Sequence, residues 1–167
     1  MKVELQSPMQ LGPLRATAAG EDAAAAVEGC VRAALDYFRR ADGSGSPERI
    51  AHDRLAEALA DDTRRLFLLA PGDAAPCGLL ELALDWPEPG EVTLALLVLA
   101  GSERGRGLGR ELMRDLLALL RHSGYRTLRL GVAPGEEAAA RFWSSLGLSE
   151  YGPSKGVRLF ELSLESG

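Results

Sequence analysis

The stretch Leu97-Val98-Leu99-Ala100-Gly101-Ser102-Glu103-Arg104-Gly105-Arg106-Gly107-Leu108-Gly109-Arg110 decides how the rest of the chain is read. An apolar run ends in a glycine-rich turn, and a leucine periodicity begins at Leu108, so the order is strand, loop, helix. The first backbone N–H groups of a helix have no intrahelical acceptor and favour an anion. Glycines remove the Cβ atoms that would block its approach. Arg104, Arg106 and Arg110 add positive potential in a chain whose formal net charge is −5. A single exposed charge at a helix start gains about 0.3–1 kcal/mol. A diphosphate that touches several N–H groups collects more.

Two common phosphate loops do not fit. A nucleotide-triphosphatase loop ends in Gly-Lys-Ser or Gly-Lys-Thr, whereas this one ends Gly109-Arg110-Glu111. A dinucleotide fold needs Gly-x-Gly-x-x-Gly and an acid after the next strand. From Gly105 the third glycine arrives one position early, and the following strand ends Leu130-Gly131-Val132 with no acid.

Outward from the loop, Leu108, Leu112, Met113, Leu116, Leu119 and Leu120 trace one helical face as far as Ser123-Gly124. Thr127 to Val132 reads as a strand, giving a right-handed parallel crossover. Glu136 to Leu146 reads as a helix stopped by Gly147, and Val157 to Leu164 as a closing strand. Upstream, three strands are predicted at Arg65–Leu69, Leu79–Leu84 and Val92–Leu99. They are separated by the turns Pro71-Gly72-Asp73 and Trp86-Pro87-Glu88-Pro89-Gly90. The third is apolar on both faces over its second half, which makes it central. Leu14-Arg15-Ala16-Thr17 is a short opening strand. A single helix from Asp22 to Arg40 follows, with Val27, Cys30, Val31, Ala34, Leu35 and Phe38 on one face. Asp42-Gly43-Ser44-Gly45 breaks it, and Ser46-Pro47-Glu48 starts a second helix that runs to about Ala60. The fold class is α+β: a mixed sheet with an antiparallel meander and a β-α-β crossover, in a single domain spanning residues 1–167.

Arg104-Gly105-Arg106-Gly107-Leu108-Gly109 resembles the Gln/Arg-x-x-Gly-x-Gly/Ala motif of the GNAT superfamily of N-acetyltransferases. Phe142-Trp143-Ser144-Ser145-Leu146-Gly147-Leu148 resembles the family's Phe-Tyr-x-x-x-Gly-Phe segment. The opening strand and first helix are also similar to the family's. The resemblance implies acetyl-CoA as acetyl donor and a GNAT-like sheet whose central strands splay apart around it. Backbone groups of Leu97, Val98 and Leu99 would bind the pantetheine arm. Amides from Arg104 through Gly105, Arg106, Gly107, Leu108 and Gly109 to Arg110 would hold the diphosphate. A primary amine would then take the acetyl group directly.

Two positions depart from the family pattern. Trp143 stands where many members have a tyrosine that protonates the departing thiolate, and an indole N–H is not a usable acid. It is read either as core packing or as packing beside the pantetheine arm. Glu136 stands where many members have an asparagine that contacts the cofactor. No motif names the general base. Glu81, a polar residue in an apolar strand near the slot, is either a solvent-facing residue or that base. Tyr151, just past Gly147-Leu148, is either an ordinary half-buried tyrosine or the replacement phenol. Glu91 lies too far from the centre of the cofactor strand, and His52 and His122 are read as surface or packing residues.

The acidic balance argues against a duplex-binding module. With two cysteines, Cys30 and Cys77, and two histidines, the chain lacks the ligands for a structural zinc site. The cysteines read as buried thiols of a cytoplasmic protein. There is neither a signal-peptide pattern at Met1–Gln6 nor an apolar run long enough to span a membrane. Partners are therefore expected to be a small-molecule or protein amine, with no nucleic acid and no membrane. Dimers are common in the family, so a homodimer stays open. Substrate choice would come from Ala41–Ser46, from Trp86–Gly90 and from a last hairpin around Gly152-Pro153-Ser154. The competing function is a non-catalytic CoA-binding or sensing module on the same fold. A weaker third reading is transfer of a longer acyl group.

Overall fold

A computed structural model describes residues 5–42 and 45–165. Gly43 and Ser44, expected to break the first helix, lie outside the described residues, as do Met1–Glu4 of the N-terminus. The strands are β1 (Met9–Leu11), β2 (Leu14–Ala18), β3 (Arg64–Pro71), β4 (Gly78–Leu84), β5 (Glu91–Leu99), β6 (Thr127–Val132), β7 (Ser149–Ser154) and β8 (Val157–Ser163). The helices are α1 (Ala24–Ala33), α2 (Leu35–Asp42), α3 (Pro47–Ala60), α4 (Leu108–His122) and α5 (Glu137–Ser145). The strands form one eight-stranded sheet in the order β1-β2-β3-β4-β5-β6-β8-β7. Only β5 and β6 pair in parallel; every other neighbouring pair is antiparallel. The meander is thus β3 to β5, the crossover is β5-α4-β6, and the fold class is α+β as read.

Several local signals act as expected. The Ser46 side chain accepts from Arg49 N at 3.1 Å and Pro47 opens α3. A cap of this kind contributes about 1 kcal/mol. Gly147, with φ +97°, ends α5 in a conformation that L side chains resist. Other elements differ from the sequence reading. The first helix is not continuous: a short 3-10 turn at Glu21–Ala23 precedes α1, and the chain leaves helical geometry at Ala34 (φ −126°, ψ 31°) before α2. The apolar spacing runs unbroken through Ala34, with neither glycine nor proline to mark the kink, and Ala34 at the kink and Phe38 beyond it are both buried. A strand not read from the sequence, β1, pairs with β2 around Gly12. Gly152 to Ser154 belong to strand β7, and the tight turn falls at Lys155-Gly156 (φ 53° and 83°).

The two faces of the sheet carry separate cores. Leu112, Met113, Leu116 and Leu120 of α4, with Trp143 of α5, cover one face over Leu80, Leu82, Leu128 and Leu130. Val27, Val31 and Phe38 of α1 and α2, with Leu55 of α3, cover the other over Leu66 and Leu79. Between Glu81 and Leu82 the β4–β5 register slips: Glu81 faces Leu96 but Leu82 faces Leu94, so Ala95 is an extra residue in β5. The bulge reverses the strand's facing. Val92 and Leu94 point into the α4 core, whereas Leu96 and Val98 point into the core under α1 to α3. Past the bulge both faces are covered, with Leu96 and Val98 in one core and Leu97 and Leu99 against the other, so the second half reads apolar on both faces.

Candidate acetyl-transfer site

β5 and β6 are paired at Glu91–Thr127, Val92–Leu128 and Thr93–Arg129, and no pair follows among the described residues. Beyond that point the two strands separate. A groove of about 480 Å³ opens between them, lined by Leu94–Leu99 on one side and by Leu130–Ala133 with the start of α5 on the other. Tyr37, Arg40 and Ala41 of α2 and Phe142 and Trp143 of α5 also line it. The β5 edge that lost its partner presents backbone N–H and C=O groups to whatever occupies the groove.

The glycine loop stands at the end of β5. Gly107 is the N-cap of α4 with φ +78°, and no side chain caps this helix start. Gly105 has φ +77°. A Cβ at either position would meet nothing within 4 Å, so the space over the loop is open. An uncapped helix start beneath open space suits an anion of diphosphate size. The loop arginines contribute less than the sequence implied. Arg104 forms a two-bond ion pair with Asp36 (2.7 and 3.1 Å), while its Nε donates to Leu99 O at 3.1 Å. Its guanidinium holds the Asp36 carboxyl down at about 2. Arg106 pairs with Glu103 at 2.7 Å. Arg110 instead donates to the Ser145 hydroxyl at 2.6 Å and lies over the Phe142 ring, with no carboxylate pairing it among the described residues.

Of the candidate cofactor residues, Leu97, Val98, Leu99, Arg104, Gly109, Glu136 and Trp143 line the groove, whereas Gly105, Arg106, Gly107, Leu108 and Arg110 do not. Glu136 is the N-cap of α5 and accepts from Arg40 Nε at 2.6 Å. Trp143 is buried and meets Phe142 edge-on with ring centroids 4.8 Å apart.

The two candidate proton-transfer residues do not line the groove. Glu81 is not solvent-facing: it is fully buried, paired with Arg64 and 3.5 Å from Arg54 Nη1. Tyr151 lies on β7 at the edge of the sheet, exposed, with the Arg129 guanidinium 5.8 Å from its ring centre. Replacing Tyr151 by phenylalanine is therefore expected to leave kcat within about twofold of wild type, measured by thiol release. A tenfold fall would bring the phenol back to the reacting atoms.

Sequence reading missed the α2 residues Tyr37 and Arg40. The signal was their place after Ala34, and it is invisible if the helix is taken as continuous. Neither cysteine is an activated nucleophile. Burial pushes the Cys30 thiol up to about 11, and burial with Glu103 nearby raises that of Cys77. No groups of metal-ligating side chains occur among the described residues.

The acetyltransferase (GNAT) family model matches residues 27–148, well over half of the chain, including the glycine loop and both groove strands. The chain belongs to the GNAT acetyltransferase family. GNAT acetyltransferases use acetyl-CoA as the acetyl donor. Among solved structures, an acetyltransferase from Thermus thermophilus is 25% identical, with a TM-score of 0.81 over 93% of this chain and 99% of that one. A PaiA N-acetyltransferase from Thermoplasma acidophilum, solved with coenzyme A, shares the fold at 12% identity, with a TM-score of 0.69 over 90% of this chain and 98% of that one. The spermidine N-acetyltransferase of Vibrio cholerae, solved with CoA and spermine, shares it at 15% identity, with a TM-score of 0.69 over 91% and 96%. No curated protein sequence matches the chain.

Proposed function

We propose that this GNAT protein is an N-acetyltransferase that moves the acetyl group of acetyl-CoA directly to a primary amine. The observation that carries the reading is the parting of β5 and β6 after Thr93–Arg129, directly upstream of an uncapped, glycine-lined helix start. The unpaired β5 edge from Leu97 to Leu99 would hold the pantetheine arm by strand-like hydrogen bonds. The N–H groups from Arg104 to Arg110, with the Arg110 guanidinium, would hold the diphosphate. When bound, acetyl-CoA supplies an activated thioester. The protein then positions the two reactants, and a β5 amide facing the groove polarises the acetyl carbonyl.

Direct transfer is supported by the groove's composition. Its described lining contains no Cys, Ser, Thr, Lys or His that could carry an acyl group. Glu136 and Tyr37 are the lining residues with a group able to take or return a proton. For site of action, we place the protein in the cytoplasm, in keeping with its two free cysteines. No helix among the described residues is long and apolar enough to cross a membrane. The proposed acceptor is a small-molecule or protein amine rather than nucleic acid.

A second reading, a CoA-binding module without turnover, is favoured by one observation: Trp143, an indole with no usable acidic proton, lines the groove where the resemblance implies a tyrosine. The two readings separate on one assay. With acetyl-CoA and a panel of polyamines, amino acids, amine-bearing antibiotics and peptides, free thiol is expected to appear with at least one amine, matched mole for mole by acetylated product. Saturable CoA binding without thiol release across the panel would favour the binding module.

A further inference from the structure

Beyond Thr93–Arg129 the two arms of the groove share no ladder pairs among the described residues, yet they are bridged. The bridge is helix α2. At one end Asp36 takes both Nη atoms of Arg104, in the loop after β5 (2.7 and 3.1 Å). At the other end Arg40 donates to Glu136, the residue that caps α5 after the β6 arm (2.6 Å). Within α2, Arg40 Nη1 and Asp36 Oδ2 are 3.6 Å apart, one helical turn along the same face. Four charges of alternating sign thus form one chain that links the two sides of the groove. Tyr37 lies between the two anchor points and lines the groove. The break at Ala34 separates α2 from α1.

We infer that Asp36 and Arg40 are positioning residues: through Arg104 and Glu136 they clasp the two arms of the groove and hold Tyr37 in its wall. The inference rests on reading the groove as the acetyl-transfer slot. The clasp belongs on the acceptor side. α2 packs through Phe38 on the face of the sheet opposite α4, whose N-terminus forms the diphosphate cradle. An incoming amine would therefore meet the wall that the clasp holds. Single exposed ion pairs contribute little, but a bidentate arginine pair joined to others in a network is the arrangement in which they contribute most. A network of this size fixes the position of a short helix without governing global stability.

The test compares Asp36→Asn, Arg40→Gln and Arg40→Lys with wild type. Arg49→Gln serves as control, because it breaks an exposed pair of the same spacing on α3, with Asp53. Three readouts are taken: amide exchange of residues 35–42 by mass spectrometry, Kd for CoA by calorimetry, and steady-state kinetics with the fastest amine of the panel. Exchange across 35–42 is expected to rise roughly fivefold in Asp36→Asn and Arg40→Gln. The kcat/KM for the amine should fall about tenfold. Because Arg104 and Glu136 belong to the cofactor groove, the Kd for CoA should change by less than the amine kcat/KM, and Tm should stay within about 2 °C. Arg40→Lys, which keeps the cation, should recover most of the loss, and the control should match wild type.

Unchanged exchange overturns the clasp whether or not the protein turns over. Faster exchange with unchanged amine kinetics, or a loss carried wholly by CoA affinity, overturns the positioning role. If wild type releases no thiol with any amine, the transferase reading fails instead, and the exchange arm still judges the clasp.

Discussion

Replacing Gly107 by glutamate is expected to weaken CoA binding at least about a hundredfold, which corresponds to about 2.7 kcal/mol. Two effects add. Gly107 sits at φ +78°, and a residue with a Cβ loses about 1 kcal/mol there. The larger effect is electrostatic. A carboxylate at the N-cap would reach over the first N–H groups of α4, the helix start that no side chain now caps. It would satisfy those donors itself and repel the diphosphate from the same space. Gly107→Ala separates the two effects: it imposes the backbone strain without the charge and should cost only about fivefold. Calorimetric titration with CoA measures both. Equal losses in the two variants would mean that backbone geometry, not anion capture, is the function of this glycine. Unchanged affinity in the glutamate variant would remove the loop from cofactor binding.

Gly78→Ala is expected to lower the melting temperature by roughly 6–12 °C, about 3 kcal/mol. Gly78 lies on β4 opposite Leu99 of the groove strand. A Cβ added there would stand 2.5 Å from Val98 O and 2.8 Å from Leu99 Cδ2. The second contact involves the end of a flexible side chain. The first is with backbone and can be relieved only by moving β5. Because β5 is also the edge proposed to hold the pantetheine arm, CoA affinity should fall together with stability. Thermal unfolding with and without CoA reads both quantities. A melting temperature within about 2 °C of wild type would show that β5 can shift at little cost, contrary to the close packing of the two strands.

Much of the scaffold was legible because local chemistry marks it. Ser46-Pro47 starts α3, Gly147 stops α5, the prolines and Gly90 close the β4–β5 turn, and the leucine stripe of α4 covers one face of the sheet. The glycine loop was legible for the same reason, since its backbone conformation demands particular residues. What was not legible depends on distant neighbours. The kink at Ala34 has no breaker residue and falls at a fully buried alanine. The bulge at Ala95 is a slip between two strands that alternation in one strand cannot reveal. Glu81 alternates as a solvent-facing residue would, but α3 and the start of β3 bring Arg54 and Arg64 over it. Arg104 and Arg106 read as cradle charges, whereas partners at Asp36, 68 positions away in sequence, and at Glu103 neutralise them. Spacing along the chain shows which charges are present and not which of them are already paired.

The central claim is that main-chain N–H groups after β5 hold the diphosphate of acetyl-CoA while the arm lies between the separated strands. A crystal structure of the protein grown with acetyl-CoA tests it most directly. The expected result is diphosphate oxygens within hydrogen-bond distance of N–H groups between Arg104 and Arg110, with the pantetheine arm running along Leu97–Leu99. Density for the ligand anywhere else on the protein, with the groove between β5 and β6 filled by side chains, would contradict it.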